Sequence, residues 1–276
     1  MQIRFESSPG EVSRMNTELL RENFLIQEIF QNDQVHFVYT HYDRMMIGGA
    51  VPVNQVLKLE TYGPLKSEYL LERREIGIIN IGGEGLIEAD GESYQMNRLS
   101  CFYAGKETKE VTLASADPGN PAVFYMLSAP AHQKYPTRLF TKEDASPVTV
   151  GSAETSNHRT IYKYIHMQGI QSSQLVMGLT VLQVGSVWNT MPAHVHDRRM
   201  EAYCYFDLPE GQRVLHIMGE PTETRHLWVA DKQAVISPPW SLHSGSGTSN
   251  YSFIWGMAGE NKDYTDMDAV AITDLK

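Results

Sequence analysis

The feature that most constrains the fold of this chain is a set of four potential metal ligands. His194, His196 and Glu201 follow the pattern H-x-H-x4-E, and His243 comes much later, after a proline-rich stretch. On a β-strand, residues i and i+2 point to the same face, so both imidazoles can reach one ion. Glu201 breaks this alternation, which predicts a turn or bulge within residues 197–200 and a second strand that starts at Glu201. The spacing therefore predicts a small β-barrel that holds one cation.

The donor atoms limit which ion such a site takes. Three neutral imidazoles and one carboxylate suit zinc, iron, nickel, manganese or cobalt better than calcium or magnesium. An H-x-H pair alone often arises by chance, because ten histidines are spread over the 276 residues. The glutamate at this spacing and the later histidine favour a metal site over chance.

The composition describes a globular protein and argues against several kinds of partner. Hydrophobic residues make up 42% of the chain, charged residues 20%, and the net charge is −10. This acidic balance argues against nucleic acid and anionic membranes, although a local arginine cluster can still bind an anionic small substrate. The start of the chain lacks the apolar core of a signal peptide, and no apolar run is long enough to span a bilayer. With two cysteines and no C-x-x-C pair, the expected location is a reducing cytoplasm.

Short β segments dominate the pattern along the chain. Residues typical of turns separate apolar segments such as residues 76–81, 174–182, 201–206 and 251–255. This spacing predicts an all-β protein, in the main, with a few short helices. Apolar residues recur at helical spacing over residues 13–30, which predicts one amphipathic helix there.

A polar, turn-rich stretch at residues 141–157 divides the chain into two similar lengths. We therefore expect one domain over residues 1–145 and a second over residues 146–276. The potential metal ligands all lie in the second domain.

The two halves also resemble each other weakly, which predicts a duplicated barrel. Residues 69–75 align with residues 194–201, with one residue gained in the second copy. In the first copy Tyr69, Leu71 and Thr108 stand where the second copy has its three histidines. Because leucine cannot coordinate a metal, only the second barrel is expected to hold an ion.

Two segments, residues 185–211 and 238–247, resemble the two motifs of the cupin superfamily. The resemblance is partial. The glycine that usually comes shortly before the first histidine is absent, and Trp240 stands where the second motif usually has glycine. The spacing of the four ligands is nonetheless that of the superfamily.

A closer resemblance, to the 5-keto-4-deoxyuronate isomerase family of bacterial pectin breakdown, covers nearly the whole chain. It is carried by four long segments, residues 70–83, 188–201, 234–245 and 253–261. The resemblance implies a fold of two cupin-type β-barrels, a homohexamer, and one Zn²⁺ per subunit. It also implies that His194, His196, Glu201 and His243 are the zinc ligands.

The activity implied by the resemblance is an aldose–ketose isomerisation. It converts 5-dehydro-4-deoxy-D-glucuronate into 3-deoxy-D-glycero-2,5-hexodiulosonate through an enediolate, whose negative charge a divalent cation stabilises. Three alternatives remain: a 5-deoxyglucuronate-type isomerase, a metal-dependent cupin dioxygenase, and a non-catalytic cupin that binds sugar acids.

A uronate substrate carries a carboxylate, which a guanidinium group can bind through two hydrogen bonds. The candidates for this role are Arg198, Arg199, Arg159, Lys163 and Arg225. Arg198 and Arg199 lie between two potential ligands, so the chain itself keeps them near the ion.

The isomerisation also needs a base that carries a proton. Glu201 is a candidate, and Tyr203, Tyr205, Glu223 and His226 are others. The two tyrosines share strand parity with Glu201, so we expect both to face the barrel interior. Packing within the barrel is the alternative role for these tyrosines.

Overall fold

The structure is a computed structural model that describes residues 1–260 and 262–276. Within these ranges the α-helices are short, at Pro9–Val12 (α1) and Thr17–Phe24 (α2). Three single turns of 3-10 helix lie at Tyr42–Arg44, Gly63–Leu65 and Ile272–Asp274. The prediction of a mainly all-β protein with a few short helices is confirmed. No helix in the described part of the chain has both the length and the apolar character to cross a bilayer.

Strands account for most of the regular structure. The strands of the first half are β1 Gln2–Arg4, β2 Leu25–Ile26, β3 Val35–Thr40, β4 Met46–Ala50, β5 Leu57–Lys58, β6 Arg74–Asn80, β7 Gly85–Ala89, β8 Glu92–Met96, β9 Cys101–Ala104, β10 Val111–Ser115, β11 Phe124–Pro130 and β12 Arg138–Phe140. The strands of the second half are β13 Ser146–Val150, β14 Arg159–Ile165, β15 Val176–Leu182, β16 Trp188–Val195, β17 Arg199–Phe206, β18 Val214–Glu220, β19 Glu223–Val229, β20 Gln233–Ser237, β21 His243–Gly247, β22 Ser252–Gly259 and β23 Asp268–Ala269.

The first of two compact units comprises Met1–Ile3, Glu28–Ser146 and Lys163–Met177. Two sheets belong to this half of the chain, in the orders β1-β3-β4-β11-β6-β9-β12 and β5-β10-β7-β8. Both sheets contribute fully buried apolar side chains, such as Phe102 of β9 and Leu113 of β10, to a single core. Burial of such side chains stabilises the fold by about 1.5–3 kcal/mol each.

The second compact unit comprises Arg4–Gln27, Pro147–Tyr162 and Gly178–Lys276. Two further sheets contain the strands of the second half of the chain, together with β2, in the orders β13-β14-β15-β22-β17-β20-β2 and β19-β18-β21-β16-β23. Strand β2, from the start of the chain, pairs antiparallel with the far later strand β20. The N-terminal segment is thus part of the second unit. The division into domains of residues 1–145 and 146–276 stays a prediction.

The helix predicted over residues 13–30 is wrong in its extent. Helix α2 starts after Asn16, whose side chain accepts a hydrogen bond from the N–H of Leu19 at 2.9 Å, and it ends at Phe24. Leu25 and Ile26 leave the helix because they pair with β20, and the side chains of both are buried. Long-range strand pairing therefore overrides the helical periodicity of the sequence.

Candidate metal centre

Four side chains of the second unit converge on one point. His194, His196, Glu201 and His243 each offer one donor atom, and these atoms all lie within 4.8 Å of one another. The Oε2 atom of Glu201 lies 2.9 Å from Nε2 of His243 and 3.1 Å from Nε2 of His196. The Nε2 atoms of His243 and His194 are 3.1 Å apart. The structure thus brings together the four residues that the sequence pattern singled out.

Strand pairing places three of these residues. His194 of β16 and His243 of β21 are direct partners across antiparallel strands, and the register shifts between Asn189 and His194. Glu201 lies on β17 of the other sheet, where it pairs with Ser237. Two of the histidines therefore come from one sheet, and the carboxylate comes from the other.

The turn predicted within residues 197–200 is present. Asp197 and Arg198 form it, and β17 begins at Arg199, slightly before the predicted start at Glu201. The turn reverses the chain directly after His196, so the short spacing between His196 and Glu201 is enough to bring both to the same point.

Hydrogen bonds on the far side of two imidazoles set their orientation. Nδ1 of His196 lies 3.0 Å from the carbonyl oxygen of Arg199, and Nδ1 of His243 lies 3.2 Å from Oγ of Ser237. A carbonyl only accepts, so Nδ1 of His196 donates to it, and the ring is turned so that Nε2 lies in the cluster, 3.1 Å from Oε2 of Glu201. Partners of this kind orient histidine ligands in metal sites.

Burial differs within the cluster. The exposed fractions of His196, Glu201 and His243 are 2%, 4% and 1%, whereas His194 is half-buried. His194 is therefore the member of the cluster that is most accessible to solvent.

The protonation states of His194 and Glu201 suit a cation. Burial alone would lower the pKa of His196, but Glu201 outweighs it and raises this pKa, so an ion would displace a proton there. Burial, assisted by the nearby His243, lowers the pKa of His194 to about 3. Burial alone would raise the pKa of Glu201, but His243 and His196 outweigh it and hold this pKa well below its usual value. At neutral pH the cluster thus offers an ionised carboxylate and a neutral imidazole, which are the forms that bind metals.

The spacing of the donor atoms also fits one ion. Nitrogen and oxygen ligands lie about 2.1 Å from zinc in a tetrahedral arrangement, so neighbouring donor atoms are about 3.4 Å apart. Three separations in the cluster, at 2.9–3.1 Å, are slightly shorter than this value, so small movements of the side chains would admit an ion. Imidazole and carboxylate donors select zinc, iron, nickel, manganese or cobalt, as the sequence predicted.

Aromatic side chains line the barrel interior next to the cluster. Tyr203 and Tyr205 are buried and point inward, as expected from their parity with Glu201. The ring centroid of Tyr203 lies 5.5 Å from that of His243, and the Tyr203 hydroxyl hydrogen-bonds with Thr190 and Glu201. Tyr203 therefore touches a potential ligand directly.

A second polar group of side chains lies further inside the same barrel. The hydroxyl of Tyr205 lies 2.7 Å from Nδ1 of His216, which is fully buried. Asn189 donates to the hydroxyl of Tyr251 at 2.7 Å.

The other two candidate bases, Glu223 and His226, lie elsewhere. Both are exposed on the edge strand β19, so the structure does not bring them into the cluster.

The five cationic residues predicted for substrate binding have different surroundings. Arg198 is exposed and pairs with Glu260 at 2.7 Å. Arg225 is bound to Glu223 at 2.6 Å and to the carbonyl of Ser13. Lys163 belongs to the first compact unit. Arg198 and Arg225 are each paired with an acidic side chain that is not one of the four donor residues.

The remaining two arginines lie inside the second unit. Arg159 donates to the carbonyl of Asn157 at 2.8 Å, and its charge interacts with the buried hydroxyls of Tyr251 and Tyr203. The charge of Arg159 thus reaches Tyr203, whose ring lies beside His243. Arg199 is fully buried, and its Nη2 atom donates to Oδ1 of Asp266 at 2.7 Å.

Sequence reasoning missed Asp266 and its neighbour Tyr264. The guanidinium of Arg199 lies over the ring of Tyr264, 5.7 Å from its centroid. Nothing in the spacing of the sequence shows that Arg199 is buried, or which of the many acidic residues pairs with it.

Known proteins are similar to this chain in sequence and in fold. A protein of Formosa agariphila named 4-deoxy-L-threo-5-hexosulose-uronate ketol-isomerase is 55% identical over 273 residues, which cover 99% of this chain and 98% of that protein. The crystal structure of an IolB-like protein from Salmonella typhimurium superposes with a TM-score of 0.74 at 15% identity, covering 90% of this chain and 97% of that one.

An oxalate decarboxylase of Lactobacillus farciminis, crystallised with formate, superposes with a TM-score of 0.60 at 10% identity, covering 90% of this chain and 88% of that one. At these identities the likeness shows the fold alone, and the predicted fold of two cupin-type β-barrels is confirmed. The model of the KduI/IolB family matches residues 24–272. That match spans most of the chain, and with the full-length relative it shows that the chain belongs to the KduI/IolB family.

Proposed function

We propose that this chain is a 4-deoxy-L-threo-5-hexosulose-uronate ketol-isomerase that uses one Zn²⁺ per subunit. The observation that carries the proposal is the convergence of four donor atoms within 4.8 Å, in a chain 55% identical to a relative of that name. Two further parts of the proposal are a homohexamer, supported by the resemblance of the sequence to this family, and a cytoplasmic location, supported by two cysteines that form no C-x-x-C pair.

The proposed reaction moves hydrogen between two adjacent carbons of an open-chain sugar acid and passes through an enediolate. His194, His196, Glu201 and His243 would hold the ion. When bound, the ion supplies positive charge beside the two substrate oxygens on which negative charge develops. Half-buried His194 marks the side from which the substrate enters.

Glu201 is our proposed proton carrier. It is the one carboxylate of the cluster, and the Tyr203 hydroxyl hydrogen-bonds with it. That hydroxyl also interacts with Thr190, on the strand that carries His194. Positioning of this kind is what a group within reach of a reacting carbon requires.

Arg159 is our proposed anchor for the substrate carboxylate. Its guanidinium lies near Tyr203, which contacts His243, and one of its amino groups is engaged by the carbonyl of Asn157. The side chain is half-buried, so solvent competes less with a bound carboxylate than it would at exposed Arg198. Hydrogen bonds between charged groups are about twice as strong as neutral ones.

The direct test is to incubate the pure protein with 4-deoxy-L-threo-5-hexosulose uronate and to follow the sugar by NMR. We expect conversion to the 2,5-diketo acid, its loss after treatment with a chelator, and its return when Zn²⁺ is added. His243→Ala is the matched control, since it lacks one of the four donor atoms.

Two other results would overturn the proposal. Conversion of 5-deoxyglucuronate without conversion of the proposed substrate would assign the chain to the second isomerase type. Oxygen consumption by an iron-loaded protein that leaves the ketouronate unchanged would assign it to the dioxygenases.

A further inference from the structure

A buried ion pair lies directly behind the candidate metal centre. Arg199 has no exposed side-chain surface, and Asp266 accepts a hydrogen bond from its Nη2 atom at 2.7 Å. The Nε and Nη1 atoms of Arg199 are buried and have no partner among the described residues. Asp266 is thus the acidic partner that the described structure provides for this charge. A buried charge that loses its partner is strongly destabilising.

The main chain of Arg199 meets a potential metal ligand. Its carbonyl oxygen lies 3.0 Å from Nδ1 of His196, and this contact turns Nε2 of His196 toward Glu201. The same residue therefore binds Asp266 through its side chain and orients His196 through its backbone. A shift of Arg199 would move the acceptor on which the imidazole depends.

The segment that carries Asp266 is tied to both sides of the ligand-bearing turn. Arg199 pairs with Gly259 at the end of β22, where a side chain in place of glycine would collide with Arg199. Beyond Asp266, strand β23 pairs with His194 and Val195 of β16. The C-terminal segment thus connects the strand that bears His194 with the residue that orients His196.

We propose that Asp266 is a positioning residue of the metal centre: by holding the Arg199 side chain, it fixes the carbonyl that orients His196. The inference rests on the proposed metal site. It gives the Arg199–Asp266 pair a role in holding the metal ligands rather than in binding the substrate. The unpartnered Oδ2 atom of Asp266 beside Arg199 would repel a second carboxylate, which disfavours a uronate at this position.

The test measures metal binding without substrate. Metal-free protein is titrated with Co²⁺, and the visible absorption of the bound ion gives both the Kd and the coordination geometry. We expect Asp266→Asn to weaken binding by about 10–100-fold, the usual cost of losing a residue that orients a ligand. We also expect it to change the absorption bands. Glu260→Gln is the control, because the exposed Arg198–Glu260 pair is the neighbouring ion pair and should change the Kd by less than about threefold.

A double variant, Arg199→Met with Asp266→Leu, separates positioning from simple charge compensation. Apolar replacement of a buried ion pair is often tolerated by the fold, so this variant addresses the case in which Asp266→Asn does not fold. We expect it to bind Co²⁺ as weakly as Asp266→Asn. Recovery of the wild-type Kd in the double variant would overturn the inference.

The remaining outcomes are also decisive. An unchanged Kd in folded Asp266→Asn would overturn the inference and leave the proposed isomerase intact. Failure of the wild-type chain to bind Co²⁺ or Zn²⁺ would instead overturn the metal site and the inference together.

Discussion

Glu75 of the first unit provides a sharp test of how much a buried, hydrogen-bonded carboxylate stabilises the fold. It aligns with Glu201 in the sequence, yet its carboxylate is fully buried among donors from the same unit. One oxygen accepts the N–H groups of Gln174 and Leu175, both at 2.8 Å. The other accepts the N–H of Ser173 at 2.6 Å and the hydroxyl of Tyr103 at 2.7 Å. The perturbation is Glu75→Gln, which keeps the shape of the side chain.

The structure gives the magnitude of the effect. The amide of glutamine retains one acceptor oxygen, so the N–H of Ser173 faces an NH₂ group and loses its partner, while the hydroxyl of Tyr103 turns to accept a hydrogen bond from that group. A buried N–H without a partner costs about 1–3 kcal/mol, and the other three bonds weaken by about 1 kcal/mol each when the charge is lost. Burying an amide costs less than burying a carboxylate, which offsets part of this sum. We expect a net loss of about 3 kcal/mol in the free energy of unfolding, which lowers Tm by about 6–12 °C.

Thermal unfolding of the full chain, followed by calorimetry, measures this loss. The control is Glu110→Gln, which breaks the exposed pair with Lys58 in the same unit. Exposed pairs contribute about 0–1 kcal/mol, so this variant should unfold close to the wild type. If Glu75→Gln and Glu110→Gln unfold at the same temperature, the four hydrogen bonds of Glu75 do not stabilise the first unit by the expected amount.

Three predictions concern the second unit. His243→Ala should lose its bound metal and at least about 100-fold in activity, while the first unit stays folded. Metal analysis and the rate of sugar conversion followed by NMR check this, and normal activity would contradict the ligand assignment. Arg159→Met should raise KM by about 10–100-fold with little change in kcat, because a charge-assisted hydrogen bond worth about 1.5–3 kcal/mol is lost; an equal rise in Lys163→Met would count against this role of Arg159. Burial lowers the pKa of His216 to about 3, so the unfolded chain takes up a proton below about pH 6.5 that the folded chain does not. The free energy of unfolding should therefore fall by about 2 kcal/mol between pH 7 and 5 because of His216. Denaturant titrations at both pH values should show a correspondingly smaller fall for His216→Asn than for the wild type, and an equal fall would refute the reasoning.

The parts of the site that depend on local spacing were predictable from sequence. The alternation of a strand and one short turn are enough to bring His194, His196 and Glu201 together, because few conformations separate them. The partner of Arg199 was not predictable, since the contact with Asp266 depends on the path of the segment after β22. Long-range geometry of this kind leaves no periodic signal in the chain.

Neighbouring residues show the same limit. Arg198 and Arg199 are equivalent in sequence as partners for a substrate, yet one lies in an exposed turn and the other begins a buried strand. The predicted helix over residues 13–30 failed for a related reason, because the pairing of β2 involves a strand about two hundred residues later. The all-β class was predictable because alternation and turn residues recur throughout the chain.

The position of β2 has a consequence for how the molecule is made. Strand β2 leaves the ribosome about two hundred residues before β20, the strand with which it pairs. It must therefore remain unpaired until β20 has been synthesised. A fragment that begins at residue 146 would lack this strand and expose the backbone N–H and C=O groups along one side of β20, an open edge of the kind that recruits other chains and promotes aggregation.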